Sequence, residues 1–404
     1  MMKYEFCCPT LFGLEGIVGD ELRHNGGLED VQVENGRVLF SGDEQTLVWA
    51  NLWLRCAERV LIKVGEFPAR TFEELFEGVY ELPWLDYIEA DCAFPVKGYA
   101  LSSRLHSIPD CQSIVKKAIV KSLSESYGVT WFEETGPRCQ VQFAIMNDIA
   151  TLYLDTSGAG LHKRGYRANA NEAPLRETLA AAMVHVSRYR GRGAFLDPFC
   201  GSGTISIEAA MIAMNRAPGL MRSFDAEKWN FIDPEIWRQE RERALDVIYR
   251  DRIYDITGSD IDPACVELSA ANAKKAGVDH TVQFLQQDAG KLDLRRREGT
   301  LICNPPYGER LMDVASARKL LRSFGMTAFR SPMKQYIISS DEKFEEFFGV
   351  KADKKRKLYN GMIRCNLFMY YQPPEKRRRW RTAGSHGIGR GTPDSRKRTG
   401  DYRK

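Results

Sequence analysis

The C-terminal half of this 404-residue sequence predicts an α/β doubly wound sheet, and the half before it predicts two smaller α+β units. Three observations point that way. From about residue 175, short apolar runs at 194–197, 256–259, 282–285 and 301–303 alternate with helical stretches. Polar residues that could serve a ligand stand where those runs end: Asp197, Asp260, Asp288 and Asn304. Before residue 160, in contrast, alternating runs meet at Asn35-Gly36 and Asn147-Asp148, as antiparallel hairpins do.

Length and composition set the outer limits. A chain of 404 residues suits two or three domains, and 43% hydrophobic with 28% charged residues is the balance of a soluble globular protein. No apolar run reaches membrane-spanning length, and MMKYEFCCPTLFGLEG lacks the continuous apolar core of a signal peptide. Ten cysteines are scattered without a C-x-x-C pair, which predicts reduced thiols in a cytoplasmic protein and argues against zinc or any other metal site. Residues 375–404 hold eleven Lys/Arg against Glu375, Asp394 and Asp401; this net +8 leaves −4 for the rest of the chain. Attraction to a polyanion must then come from local patches and this tail, not from bulk charge.

Residues 1–65 read as βαββαβ, a ferredoxin-like unit. A strand comes first, then a helix over Leu14, Ile17, Val18 and Leu22, ended by Gly26-Gly27. The Asn35-Gly36 hairpin follows, then a helix over 43–54 and a strand over 60–64. Residues 66–160 form the second unit. Its short helices are expected at 71–79 and 83–87, and a strand over 93–103 presents Lys97. The helix over 113–127 has Ile114, Val115, Ala118, Ile119 and Leu123 on its apolar face and Gly128 as its stop. Lys116, Lys117 and Lys121 lie off that face, on a solvated surface or a nucleic-acid patch. Thr156–Arg167 reads as a flexible connection in which His162, Lys163, Arg164, Tyr166 and Arg167 could touch phosphate and a base. Pro174 suits the first turn of a helix over 175–186. The third unit runs over 161–374, with a polar insert at 225–250 and a last strand at 362–370; beyond it the basic tail is expected to lack structure.

Two stretches carry the chemistry. In Phe195-Leu-Asp-Pro-Phe-Cys-Gly-Ser-Gly-Thr204, a strand runs into a glycine loop and a helix. Gly201 and Gly203 permit a tight turn and close approach of a ligand, with Phe199 and Thr204 flanking the loop. Asp197 would repel a pyrophosphate but attract an ammonium, so an amino-acid-bearing cofactor such as S-adenosylmethionine fits better than a dinucleotide. Asp260, followed by Ile261, is placed to grip ribose hydroxyls; Asp262 suits the cap of the helix begun at Pro263. Asp288, followed by Ala289, could accept from an adenine amine. The second stretch is Asn304-Pro305-Pro306-Tyr307, where two prolines end the strand. The Asn304 oxygen and a proline carbonyl can accept from a flat NH2 group while Tyr307 stacks on its ring, an arrangement suited to methylating an exocyclic amine.

DPFCGSGT (197–204), GSDID (258–262), Asp288 and NPPYGER (304–310), with FEELFEGVY (72–80), SRLHSIPDCQSIVKKAIV (103–120), DTSGAGLHKRGYR (155–167) and APLRETLAAAM (173–183), resemble the THUMP-domain methyltransferases. The similarity is to the bacterial branch acting on guanine N2 of large-subunit ribosomal RNA. It implies a Rossmann-like class I methyltransferase domain with a mostly parallel seven-stranded sheet, preceded by ferredoxin-like and THUMP domains. S-adenosylmethionine is the implied cofactor and ribosomal RNA the implied partner. By position the implied RNA contacts are Lys97, Arg104, His106, Lys116 and Lys117. A monomer is favoured over an oligomer. NPPY is also found in adenine-N6 DNA methyltransferases, so a guanine in transfer RNA or an adenine in DNA stays open as acceptor. A non-catalytic RNA-binding assembly factor is the reading from another class. A dinucleotide oxidoreductase is disfavoured because Gly-x-Gly is followed by Ser206 where a third glycine would stand.

Overall fold

The computed structural model describes residues 3–167, 175–295, 297–306 and 314–380. The first unit is the expected βαββαβ: β1 (Tyr4–Pro9), α1 (Glu15–Asp20), β2 (Val31–Glu34), β3 (Arg37–Gly42), α2 (Glu44–Trp53) and β4 (Leu61–Pro68). Asn35-Gly36 makes the β2–β3 turn, pairing Glu34 with Arg37. The Asp43 carboxylate caps α2 by accepting from the Thr46 N–H at 2.9 Å. The second unit has α3 (Phe72–Tyr80), β5 (Val96–Leu101), α4 (Ile108–Tyr127), β6 (Val141–Met146) and β7 (Ile149–Asp155). The α4 helix starts earlier than 113, because Pro109 fits its first turn, and it stops at Gly128 with φ +68°.

These units share one sheet, in the order β2-β3-β1-β4-β7-β6-β5. Placing a boundary at residue 65 therefore cuts through a strand. The β4 strand pairs with β1 at Leu61 and Ile62 and with β7 from Leu61 to Pro68, so it belongs to both halves.

The C-terminal unit contains α5 (Glu177–Ser187), β8 (Ala194–Asp197), α6 (Thr204–Ala213), α7 (Pro234–Asp246), β9 (Ile256–Asp260), α8 (Pro263–Ala276) and β10 (Val282–Gln286). It continues with β11 (Gly299–Cys303), α9 (Val314–Phe329), β12 (Lys334–Ser339), α10 (Phe344–Phe348), β13 (Lys354–Asn360) and β14 (Ile363–Tyr370). Its seven-stranded sheet runs β10-β9-β8-β11-β12-β14-β13. The first five strands are parallel, while β14 and β13 form an antiparallel hairpin at the edge. Chain direction through the sheet reverses between β8 and β11, the place where open α/β sheets leave a crevice. The sequence reading finds β14 but not β13, whose KKRKLYN is mostly charged, with Leu358 its one deeply buried residue. A lysine-rich edge strand resists pairing with other chains and for the same reason carries no apolar alternation. Pro174 lies outside the described residues. No described helix is long and apolar enough to cross a membrane.

The connection after β7 is not flexible. The Arg222 guanidinium donates to the carbonyls of Ser157 (2.9 Å), Gly160 (2.7 Å), Lys163 (3.3 Å) and Ala159 (2.5 Å). Asn51 joins the same loop to α2 through Thr156 and Ser157, at 2.8 and 2.7 Å. The tail beyond residue 375 also keeps structure at its start. Arg377 is buried and donates to the carbonyls of Ala328, Phe329, Met333 and Gln372, which closes the last turn of α9. The Trp380 N–H donates to the Gly349 carbonyl at 3.0 Å.

Asp155, at the end of β7, has a pH consequence. Burial pushes its carboxyl up to about 6, against the pull of Arg59 and of the Ser157 and Gly158 N–H groups. The folded value exceeds the unfolded one of about 3.9, so between about pH 4 and 6 the native state holds the extra proton and the contribution of this group to stability falls as pH rises. Asp155→Asn is expected to remove that slope, read as urea-unfolding free energies of both proteins across the window.

Candidate functional site

The strand ends of the C-terminal sheet converge on a cavity of about 620 Å³, a size that suits one cofactor-sized ligand. Asp197 closes β8 and is completely buried. Its Oδ1 accepts from the Phe199 N–H at 3.3 Å, while Oδ2 finds no partner among the described residues. Burial pushes this carboxyl well above the usual range, and the neighbouring Asp260 adds to the push. Gly201 (φ +51°) and Gly203 (φ +81°) then turn the chain into α6, where a side chain would be strained. Phe199, Gly201 and Thr204 line the cavity; Gly203, as the cap of α6, shapes the turn without facing it.

Asp260 closes β9 and does more than the sequence suggests. Its Oδ2 accepts from the Gly201 N–H at 3.0 Å and its Oδ1 from the Asp262 N–H at 3.1 Å. It therefore pins the glycine loop as well as presenting a carboxylate to the cavity. Asp262 caps α8 as expected, accepting from Ala264 N–H at 2.9 Å. Asp288, after β10, accepts from the Gly290 N–H at 2.9 Å, and Asp288, Ala289 and Ile261 all reach the cavity wall. At the end of β11, Asn304 and Pro306 line it, while Pro305 is buried between them. Asn304 Oδ1 is buried and without a partner among the described residues. Tyr307 lies outside the described residues, as do Gly308, Glu309 and Arg310.

The cavity thus presents unused acceptors on two neighbouring strands, Asp197 Oδ2 on β8 and Asn304 Oδ1 after β11. A buried acceptor without a donor costs free energy, about 1–3 kcal/mol, unless a ligand supplies one. A ligand with an ammonium and a second one with an amino group would meet that need. The residues present fit such a pair. Sequence reading missed the opposite wall, where Leu175, Cys265, Lys319, Leu320 and Ser323 complete the cavity. Lys319, Leu320 and Ser323 share one face of α9, but nothing in their identity marks them as a wall.

The basic residues part into two groups. Lys97, Arg104, His106, Lys117 and Lys163 are exposed. Lys116 is not free for RNA. Its ammonium donates to the Phe94 carbonyl (3.1 Å) and Glu134 (2.5 Å) and lies 3.3 Å from the Phe94 ring centre. Arg164 is buried, paired with Glu208 at 3.4 Å and bonded to the Leu161 and Arg55 carbonyls. Arg167 pairs with Glu177 at 3.5 Å and donates to Thr204 Oγ1, bracing the cofactor-loop helix. Both arginines point inward because their acidic partners, on α6 and α5, are brought across by the fold.

A five-stranded parallel sheet extended by an antiparallel hairpin, with its cavity at the reversal point, defines a Rossmann-like methyltransferase with an α+β front half. Family models match in the same order: the RlmL ferredoxin-like domain over residues 5–61, the THUMP domain over 69–155 and the RMKL-like methyltransferase domain over 164–368. The chain belongs to this RMKL-like methyltransferase family. It is 40% identical over 94% of its length to YpsC of Bacillus subtilis (strain 168), named as an RNA methyltransferase, of which 99% is covered. It is 35% identical over 91% of its length to the ribosomal RNA large subunit methyltransferase K/L of Psychromonas ingrahamii, and spans half of that protein. Among solved structures, SMU.472, described as a methyltransferase complexed with SAH, superposes with a TM-score of 0.86 at 43% identity, covering 92% of this chain and 98% of that one. A Listeria monocytogenes protein named as an N6-adenine-specific DNA methylase superposes at 0.87 with 44% identity, covering 92% and 97%.

Proposed function

We propose that this protein methylates the exocyclic N2 of a guanine in large-subunit ribosomal RNA. The coarser part is plain: it is an S-adenosylmethionine-dependent RNA methyltransferase. The observation that supports an exocyclic amine as acceptor is the unpartnered Asn304 oxygen at the end of β11, in the same cavity as the unpartnered Asp197 oxygen. The choice of a guanine in large-subunit ribosomal RNA is supported by the THUMP match and the K/L relative. Asp197 would hold the cofactor's ammonium, the Gly201 loop its backbone-facing side, and Asp260 and Asp288 its ribose and adenine. Bound there, S-adenosylmethionine supplies an electrophilic sulfonium methyl. Asn304 and the Pro305 carbonyl accept from the target amine, drawing its lone pair out of the ring and fixing its direction; positioning of this kind supplies most of the rate. Reaching an amine inside a folded RNA requires the base to leave its stack. Lys97, Arg104, Lys117 and Lys163 are exposed cations placed to meet phosphate around it, with His106 an exposed hydrogen-bonding neighbour and Arg104 also 3.9 Å from Asp148.

Asp197 yields a separate expected result. An empty site favours its protonated form, whereas an ammonium favours the carboxylate. Binding of S-adenosylmethionine is therefore expected to release a proton, seen as a buffer-dependent calorimetric enthalpy and as affinity that rises with pH. Asp197→Asn is expected to abolish the buffer dependence and to weaken binding by about 10- to 100-fold.

The acceptor is tested by transfer of radiolabelled methyl from S-adenosylmethionine to total RNA from a strain lacking the gene, with the nucleoside identified by mass. N2-methylguanosine in large ribosomal RNA is the expected product. Label in transfer RNA moves the substrate and keeps the chemistry. Labelled N6-methyladenine with DNA, and none with RNA, overturns the reading in favour of the activity in the Listeria protein's name.

A further inference from the structure

At the amino-terminal edge of the methyltransferase sheet lies a larger groove, of about 1210 Å³. Gly299 and Thr300, at the start of β11, are on its wall, whereas Asn304, just past the end of that strand, faces the cofactor cavity. The two openings are thus separated by the length of the strand, about 15 Å at 3.3 Å per residue. The α2 helix and Arg55 of the front half close the groove on one side, and the segment between α5 and β8 closes it on the other.

Its charge is one-sided. Arg188, Arg190, Arg192, Arg252 and Lys334 are exposed around it, and none is in an ion pair with a described residue. Glu298 is the one acid among the described lining residues. Deeper in, two polar groups that are more than nine-tenths buried have no partner among the described residues: Arg55 Nη1 and the Tyr189 hydroxyl. Both can donate, so they match an acceptor-rich occupant, although Glu21 and Glu208 already act on the Arg55 charge. Aromatic rings alternate with the cations. Arg252 stacks 3.7 Å from the centre of Tyr249, and Arg243 lies 5.3 Å from that of Trp53.

We infer that this groove holds a stretch of the sugar-phosphate backbone of the RNA substrate, a second grip well away from the reacting base; the inference rests on the RNA reading above. Arginines outside any ion pair with a described residue, of which Arg190 also donates to the Tyr189 carbonyl at 2.7 Å, match phosphate oxygens, and arginine–aromatic platforms match bases better than they match an acidic peptide. The groove exists only when the front half and the methyltransferase sheet are docked, so one RNA bound here would also report that docking.

The test is binding of a large-subunit ribosomal RNA fragment, over a range of salt concentrations, to the whole protein and to the triple variant Arg190→Gln, Arg192→Gln, Arg252→Gln. Three lost phosphate contacts are expected to lower the salt slope by about 3 and to weaken binding by about 10- to 100-fold near 0.1 M salt. Thermal midpoint and S-adenosylmethionine affinity are expected to be unchanged, and KM for RNA should rise with kcat within about twofold. A folded variant with wild-type affinity and slope overturns the proposal. So does polyglutamate displacing the RNA as effectively as excess unlabelled RNA, which would make the groove a protein site. If the wild type binds RNA through this groove but transfers no methyl to it, the groove stands and the methyl-acceptor reading fails.

Discussion

Asn304→Ala is expected to lower methyl transfer by about a thousandfold, roughly 4 kcal/mol of barrier, the scale seen when one preorganised polar group is removed from an active site. Binding of S-adenosylmethionine, measured by calorimetry, should change by less than about threefold, because the proposed ammonium partner is Asp197 and not Asn304. The distinction is geometric. Asn304 Oδ1 and Asp197 Oδ2 are separate unused acceptors at different strand ends, so removing one leaves the other in place. Asn304→Asp keeps an acceptor oxygen at the same position but adds a charge near Asp197, and it is expected to fall between alanine and wild type. Loss of cofactor binding in Asn304→Ala at unchanged thermal midpoint would reassign Asn304 to the cofactor and remove the amine acceptor from the mechanism.

Most of what positions that site is legible in the sequence, for a physical reason. A buried parallel strand must be a short apolar run, and a residue at its carboxyl end must leave the sheet, so Asp197, Asp260, Asp288 and Asn304 stand out where the pattern breaks. Asp262 and Asp43 are legible as caps because a cap acts on its own next turn. Lys116, Arg164 and Arg167 read in the sequence as candidate RNA contacts, and what misleads is distance along the chain. Arg164 meets Glu208 44 residues later, and Lys116 meets Glu134 18 residues later. No local pattern tells a cation that will find a buried partner from one that stays in solvent. The groove at the amino-terminal edge of the sheet is illegible for the same reason, since α2, the α5–β8 segment and the amino ends of β11 and β12 each contribute a part. The shared front sheet escapes too: β4 reads as one strand, and its two partners are fixed only by tertiary pairing.

The largest expected loss of stability follows from one of those hidden pairs. Arg164→Ala is expected to destabilise the protein by about 3–5 kcal/mol, since it takes from buried Glu208 its paired cation and leaves only Arg55 to act on its charge. Glu208 is completely buried on α6, and burial already holds its carboxyl above the usual range despite Arg164 and Arg55. Its Oε1 also accepts from the Tyr166 hydroxyl at 3.3 Å, so the loss would spread to the segment that joins the two halves. Replacing both members, Arg164→Met with Glu208→Leu, is expected to recover most of the loss, because two apolar side chains need neither charge nor hydrogen bond at that depth. Urea unfolding of the single and double variants gives the coupling directly. The same proteins decide between this structural role and the phosphate contact that the sequence suggests. A buried strut predicts weaker folding with RNA affinity unchanged in the refolded double variant. A phosphate contact predicts near-normal stability with a salt slope reduced by about 1.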